Sequence, residues 1–401
     1  MAPTRRNFLS AAAGAAGLTA VGRDRPLNLH RRLQEAPAGF DPWVEVDGGA
    51  LRSNLGAITR LASDRPVIAV IKNNAYGLGT TEVAEALDGE RSIAAFAVVK
   101  VEAAIALRRA GIRKPVLHMG ATTLEQARAL VHEDIRLAVF DEGDPARMRR
   151  LSEEVQAPIP VHVYLDTGMR RLGVPAHRAL PWLGSLSGAS VRVEGTFMGF
   201  TESDFDPEQM RRFRGVADEA RRAGIDLGLL HAASSHGLFL RPDAHLDAVR
   251  PGLALYGAYP SGADTSLASL ATAFRLRARV ARVELLREGD TVSYGQTWRA
   301  DSPTWAATLP VGHVDGYPRR AIDGCEVLIG GRLYPVVGAV SASHTIVILG
   351  EEASVSVGDV ATLVGPDHPA VHPNEIARRT GHSVYDVLMH LGQGLPRVVI
   401  P

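Results

Sequence analysis

Val67-Ile68-Ala69-Val70-Ile71-Lys72 is a run of mostly branched apolar residues that ends on an amine. Such a run, too short for a core helix and without alternation, reads as a parallel strand covered on both faces. Seven further runs of the kind follow: Ala94–Val99, Pro115–Met119, Arg136–Phe140, Pro158–Leu165, Val191–Phe200, Leu227–Ala232 and Ala248–Leu255. Segments of helical period lie between most of them, at Thr81–Asp88, Val101–Ala110, Leu124–Val131 and Glu208–Ala223. Eight strands with intervening helices predict an α/β fold, a (β/α)8 barrel of TIM type over residues 43–268. A doubly wound open sheet is the alternative, but it needs no eighth strand and normally opens on a Gly-rich turn, which is absent.

After Pro260–Ala263 the rhythm changes. Leu276–Leu286 alternates, and Ala306–Leu309, Val327–Ile329, Pro335–Val340 and Thr345–Leu349 are short, β-rich and punctuated by glycine. These predict a second, mostly β domain over residues 269–401, with helices at Asn374–Thr380 and about Val384–Leu391.

The 401-residue chain carries 44 basic and 44 acidic side chains, and 46% of it is hydrophobic. Zero formal charge without a basic block argues against nucleic acid as a partner. One cysteine, Cys325, excludes an internal disulfide and a Cys-based metal cluster, and no metal site is expected. Lysine occurs only at 72, 100 and 114, so a lysine at the end of an apolar strand is conspicuous.

Thr4-Arg5-Arg6-Asn7-Phe8-Leu9 precedes a small-residue apolar run from Ser10 to Val21. Paired arginines before a stretch too short to span a bilayer read as a twin-arginine export signal; the alternative is a ragged terminus with a chance Arg-Arg. Residues 1–42 are accordingly assigned to signal and linker, and a periplasmic or extracellular location is expected, cytoplasmic if the signal reading fails. No later segment reaches 18 consecutive apolar residues, so no membrane span is expected in the mature chain.

Lys72 stands at the C-terminal edge of the first barrel strand, where barrel enzymes place their chemistry. Burial there disfavours the charged form and makes the amine a nucleophile; a lysine snorkelling from a strand end is the competing reading. Lys72-Asn73-Asn74-Ala75-Tyr76-Gly77-Leu78-Gly79 resembles the pyridoxal-phosphate lysine motif of the alanine racemase family. The resemblance continues through 166–173 (Asp-Thr-Gly-Met-Arg-Arg-Leu-Gly), 250–257 (Arg-Pro-Gly-Leu-Ala-Leu-Tyr-Gly), 292–298 (Val-Ser-Tyr-Gly-Gln-Thr-Trp), 315–319 (Asp-Gly-Tyr-Pro-Arg), 374–377 (Asn-Glu-Ile-Ala) and 396–398 (Pro-Arg-Val). Each string is short; their common order across both domains carries the likeness.

The resemblance implies an amino-acid racemase with pyridoxal 5'-phosphate as cofactor, alanine or a wider set of amino acids as substrate, and a homodimer with shared sites. Inverting a carbon centre requires a base on each face. By resemblance Lys72 is one and Tyr294 the other, given by the partner subunit; from the sequence alone Tyr294 reads first as a core tyrosine of a strand-rich domain. Arg250 matches the arginine facing the pyridine nitrogen, and His231 its supporting partner. Gly252, Leu253, Ser235, Tyr76 and Tyr385 match residues around the cofactor phosphate. Arg171 matches an arginine near the substrate carboxylate, in competition with a plain surface role, and Ala342 falls in the substrate-binding string.

Departures from the family gather around the substrate. Gly199 stands where a ring-stacking histidine is usual, Tyr164 where some members carry a carbamylated lysine, and Ser234 where an asparagine precedes the phosphate serine. Ala339, Ala342, Ser343 and His344 replace the usual Arg and Met-Asp-Gln, and His313 a tyrosine. Either the pocket is reshaped for another amino acid, with His313 or His344 restoring polar contacts, or catalysis has decayed while cofactor binding persists. A barrel-fold decarboxylase of basic amino acids is a further alternative, though the setting of Cys325 does not match the cysteine such enzymes use.

Overall fold

The computed structural model describes residues 32–33, 35–186, 188 and 190–401. The twin-arginine segment lies outside the described residues. Among those described, no helix is long and apolar enough to cross a membrane.

The first half is a parallel sheet wound with helices. Its strands, in spatial order, are Leu229–His231, Val191–Phe197, Ile159–Asp166, Ile135–Val139, Val116–His118, Ile93–Val98 and Val67–Val70. All neighbours pair in parallel. The eighth strand expected at Ala248–Leu255 does not form. Segment 247–251 instead bridges the two edge strands: Ile68 and Val70 donate to the carbonyls of Val249 and Pro251 at 2.8 and 2.9 Å, while Asp247 and Arg250 donate to Leu230 and Ala233 at 3.0 and 2.7 Å. Pro251 has no N–H to continue a ladder, and a short 3-10 turn, Leu253–Tyr256, follows. The barrel is thus closed by backbone hydrogen bonds on both sides of a segment too short to be a strand.

Two other strands end earlier than the hydrophobic pattern implies. The first stops at Val70, so Lys72 sits beyond it, opening a turn at Lys72–Tyr76. The sixth stops at Phe197, leaving the carbonyl of Met198 free to accept from the Arg250 guanidinium. Helices cover the outside. Asp206–Arg222 buries Gln209, Met210, Phe213, Val216, Ala217 and Ala220, one face at three- and four-residue spacing, with proline in its first turn. Leu124–His132 starts with a reciprocal cap between Thr123 and Gln126.

The second half is a ten-stranded sheet built largely from antiparallel pairs. Sequence reading placed residue 43 at the start of the barrel domain; Trp43–Asp47 instead pairs antiparallel with Phe274–Arg279 and parallel with Arg397–Ile400, at the heart of this sheet. The alternating stretch 276–286 divides into two strands, Phe274–Arg279 and Arg282–Leu286, that pair with different neighbours. Arg397 is fully buried and donates to the carbonyls of Gly77, Gln393 and Leu395, which ties the last strand to the turn after Lys72.

Candidate active site

Lys72 enters a turn unlike any ordinary helix. Asn73, Asn74, Ala75 and Tyr76 have φ of 53°, 56°, 48° and 56°, a left-handed turn closed by Gly77 at 93°. Left-handed backbone costs an L-residue roughly 1–2 kcal/mol, least for asparagine, which explains Asn-Asn in the motif. The turn is held from outside. Gly79 N donates to Asn74 O at 2.8 Å, Thr80 N to Asn74 Oδ1 at 3.2 Å, and Arg397 Nη2 to Gly77 O at 2.6 Å. Strain sustained by its surroundings beside a reactive group is characteristic of functional sites.

The turn delivers Lys72 into a cavity of about 410 Å³ at the C-terminal end of the barrel strands. Tyr76, Arg171, Glu202, Ser235, Arg250 and Tyr385 share it. Burial lowers the Lys72 pKa, and the charges of Arg171 and then Arg250 lower it further, against a smaller opposite pull from Glu202. A lysine so placed has its neutral, nucleophilic form favoured.

Arg250 is buried at one wall. Its Nε donates to His231 Nδ1 at 2.9 Å, its Nη2 to the Met198 carbonyl, and its guanidinium lies 5.0 Å from the centre of the Phe197 ring. Because Nε–H always donates, His231 must be the tautomer protonated on Nε2, and that hydrogen points at His162 Nδ1, 2.9 Å away. Burial followed by the Arg250 charge holds His231 well below its usual pKa, so it stays neutral. Burial lowers Arg250 itself to about 10, which leaves it cationic at neutral pH.

A second wall is a backbone cradle. Gly252 N and Ala254 N both donate to Ser235 Oγ, at 3.1 and 3.0 Å. A Cβ at Gly252 would collide with Tyr76 Oη, so only glycine admits the tyrosine here. Tyr76 packs 6.2 Å from Tyr385, ring centre to ring centre, and burial raises both phenols, which therefore remain hydrogen-bond donors. The Ser235 hydroxyl, held by two backbone N–H groups so that its own hydrogen is free to donate, and two phenols fit a bound anion. Leu253 is fully buried in the same turn.

Arg171 lines the cavity mouth, presented by a loop in which Asp166 Oδ1 accepts from Gly168 N and Arg170 N at 2.9 and 3.0 Å. Tyr294 is not part of its own chain's cavity. It stands on the β domain, 77% exposed, in a turn where Ser293 and Gln296 have φ of 63° and 51°. Ala342, Ser343 and His344 are likewise exposed there, and His313 Nε2 accepts from Arg319 at 2.7 Å, so neither histidine lines the cavity of its own chain.

The family patterns for alanine racemase match both halves: the N-terminal domain over residues 46–260 and the C-terminal domain over 273–399. The chain belongs to the alanine racemase family. As a member it is an isomerase of the alanine racemase type. It is 35% identical over 364 residues to the alanine racemase of Symbiobacterium thermophilum, covering 88% of this chain and 96% of that protein. It is 33% identical over 365 residues to that of Carboxydothermus hydrogenoformans, covering 89% and 99%. Among solved structures, the alanine racemase of Clostridium difficile superposes with a TM-score of 0.83 at 27% identity over 90% of this chain and 96% of that one. That of Bacillus anthracis, with bound L-Ala-P, gives 0.81 at 30% over 91% and 96%.

Against family expectation, Tyr164 stacks on Phe197 at 4.4 Å, and its hydroxyl is 3.4 Å from where a Cβ of Gly199 would stand. The two departures are therefore neighbours, with the tyrosine hydroxyl and Met169 standing beside the place a side chain at 199 would take. Two residues at the site were missed in the sequence. His162 lies two positions before Tyr164, on the same face of its strand, so period-two alternation pointed to it. Glu202 had only one signal, a lone carboxylate just after the Phe197–Phe200 string.

Proposed function

We propose that this protein is a pyridoxal-phosphate-dependent amino-acid racemase that uses two bases, Lys72 of one subunit and Tyr294 of its partner. The observation that carries the reading is the joint geometry of the cavity: a lysine with its neutral form favoured, the anion cradle of Gly252, Ser235 and Tyr76, and a cationic Arg250 fixed by His231. These groups fit an aldehyde-bearing pyridine with a phosphate arm. Such a cofactor, when bound, supplies an electron sink that makes the α-proton of an attached amino acid removable.

The chain's own residues supply the rest. Lys72 would hold the cofactor through its amine and, with substrate present, would take or return a proton at its Nζ. Arg250 would hold the cofactor's ring with a guanidinium that gives up no proton readily, which would limit charge build-up there. Arg171 holds the substrate carboxylate with its fork. Tyr294, exposed on its own chain, completes the cavity of a second copy and works from the opposite face through its phenol oxygen. The loops around it support a common surface: Ser293 Oγ donates to Ala339 O at 3.0 Å, and His313 N and Val314 N to Ser341 O and Ala342 O at 3.0 and 3.1 Å. That surface carries Val314, 65% exposed.

Export through the twin-arginine route completes the proposal; it rests on Thr4–Leu9 and the apolar run that follows. Cys325 is fully buried with its thiol pushed up to about 11, an inert setting that counts against the decarboxylase alternative.

The test is incubation of the cofactor-loaded protein with L-alanine and other L-amino acids in deuterated water. Deuterium at Cα together with the D-enantiomer is expected. A protein that keeps its visible absorption band yet exchanges no α-proton is a binder only, and release of carbon dioxide makes it a decarboxylase; either result overturns the racemase reading.

A further inference from the structure

Glu202 brings a negative charge into a cavity whose other charged side chains are Lys72, Arg171 and Arg250. It lies at the exposed mouth and faces the same space as Lys72, Tyr76, Arg171 and Tyr385. Its charge is felt by three of them, raising Lys72, Tyr76 and Tyr385. Yet Glu202 makes no hydrogen bond and no ion pair with any described residue. Most other acidic side chains near the barrel mouth are engaged: Asp166 accepts from Gly168 and Arg170, Asp206 from Ser203 while pairing with His236 at 2.7 Å, and Glu208 binds Arg211 and Arg212.

The loop aims this carboxylate. Glu202 has φ of 58°, a conformation a non-glycine residue adopts only when its surroundings impose it. They do so here through Gln209, fully buried, which donates to Gly199 O at 3.0 Å and accepts from Thr201 N at 2.8 Å. On the far side Ser203 N is held by Asp206 at 3.2 Å. The residue is thus clamped on both sides while its own side chain is left unpaired.

Charge balance says what it awaits. A cofactor phosphate brings about −1.5 to −2 charges and a substrate carboxylate one more, against Arg171, Arg250 and a tethered lysine. With those groups matched, no cation among the residues lining this cavity remains for Glu202, whose exposed carboxylate faces it with its charge free. A cationic substrate side chain entering this cavity would find that charge unopposed by any lining residue of the chain. Gly199 adds no side chain to the same loop, and the place its Cβ would take lies 3.4 to 3.7 Å from Tyr164 Oη and the Met169 thioether, so these two residues bound the space beside the loop of Glu202.

We infer that Glu202 is a specificity-determining residue that pairs with a cationic substrate side chain, so that this chain acts on lysine- or arginine-like amino acids in preference to alanine. The inference rests on the racemase reading and names the substrate class of that same site. The test compares L-lysine with L-alanine on the loaded wild-type protein, E202Q and E202K. One readout is kcat/KM for racemisation; the other is the affinity for each amino acid from titration of the cofactor's absorption band, which reports binding even in a protein that does not turn over. The lysine-to-alanine ratio is expected to favour lysine in the wild type, to fall about tenfold in E202Q, and to fall further in E202K, which gains L-glutamate instead. A wild-type preference for alanine, equal losses for both amino acids in E202Q, or a shift of E202Q from dimer to monomer in sedimentation overturns the assignment. Absence of turnover with the binding ratios intact sinks the racemase reading alone.

Discussion

At the scale of single residues, the site is a set of side chains whose charge states are fixed by burial. Lys72 is lowered by desolvation first and by Arg171 and Arg250 next, so K72A is expected to abolish both turnover and the cofactor's absorption band; an absorption spectrum after reconstitution checks it. The His231–His162 pair supports Arg250 only while neutral. Burial, followed by weaker opposing and like charges, lowers His162 to about 4, below the ordinary value of 6.5. The unfolded chain therefore binds the extra proton between those two values. Stability from this group is complete above about 6.5 and falls as pH drops toward 4, with a limiting slope of ~1.4 kcal/mol per pH unit. Urea unfolding from pH 7 to 4.5 is expected to show stability falling with pH in the wild type, with His231 and His118 contributing in the same sense, and a slope shallower by up to that amount in H162N. This histidine was legible in the strand's alternation, whereas its tautomer follows only from the Arg250 contact.

The decisive element is the left-handed turn after Lys72. Asn73, Asn74 and Gly77 are residue types that tolerate left-handed backbone, a signal that the strand assignment did not draw on; the hydrophobic pattern ran through Ile71 and extended the strand to the lysine. The structure stops pairing at Val70 because the turn takes the following backbone groups. At Gly77, φ is 93°, and a Cβ would stand 2.5 Å from the carbonyl of Leu388 on the helix Val384–Met389, which also carries Tyr385. G77A is therefore expected to destabilise the fold by about 2–3 kcal/mol in urea unfolding and to weaken cofactor affinity, because the turn cannot move without displacing Tyr385. The closing segment of the barrel teaches a similar lesson. Ala248–Leu255 is apolar enough for a strand, yet Pro251 and the demand of the Ser235 hydroxyl for two N–H donors convert it to a bridge and a turn.

For the whole molecule, the separation of Lys72 from Tyr294 in one chain makes the dimer testable by mixing. K72A and Y294F are each expected to be inactive. Unfolded and refolded together with cofactor, they are expected to regain up to about a quarter of wild-type racemisation, since half of the dimers then hold one intact site; no recovery argues that both bases belong to one chain. Export is checked by fusing residues 1–42 to a reporter, with translocation expected to be lost when Arg5 and Arg6 become lysine. The sequence by itself determined the two-part α/β-then-β plan, the lysine that enters the cavity and several of the residues that line it with Lys72. It could do so because periodicity and turn chemistry are local, and because short motifs keep their order along the chain. Only tertiary structure decided where strands stop, that Trp43–Asp47 belongs to the second sheet, that Tyr164 stands beside Gly199, and that Glu202 faces the cavity unpaired. Those outcomes depend on which distant backbone groups and charges meet, and no local pattern encodes such meetings.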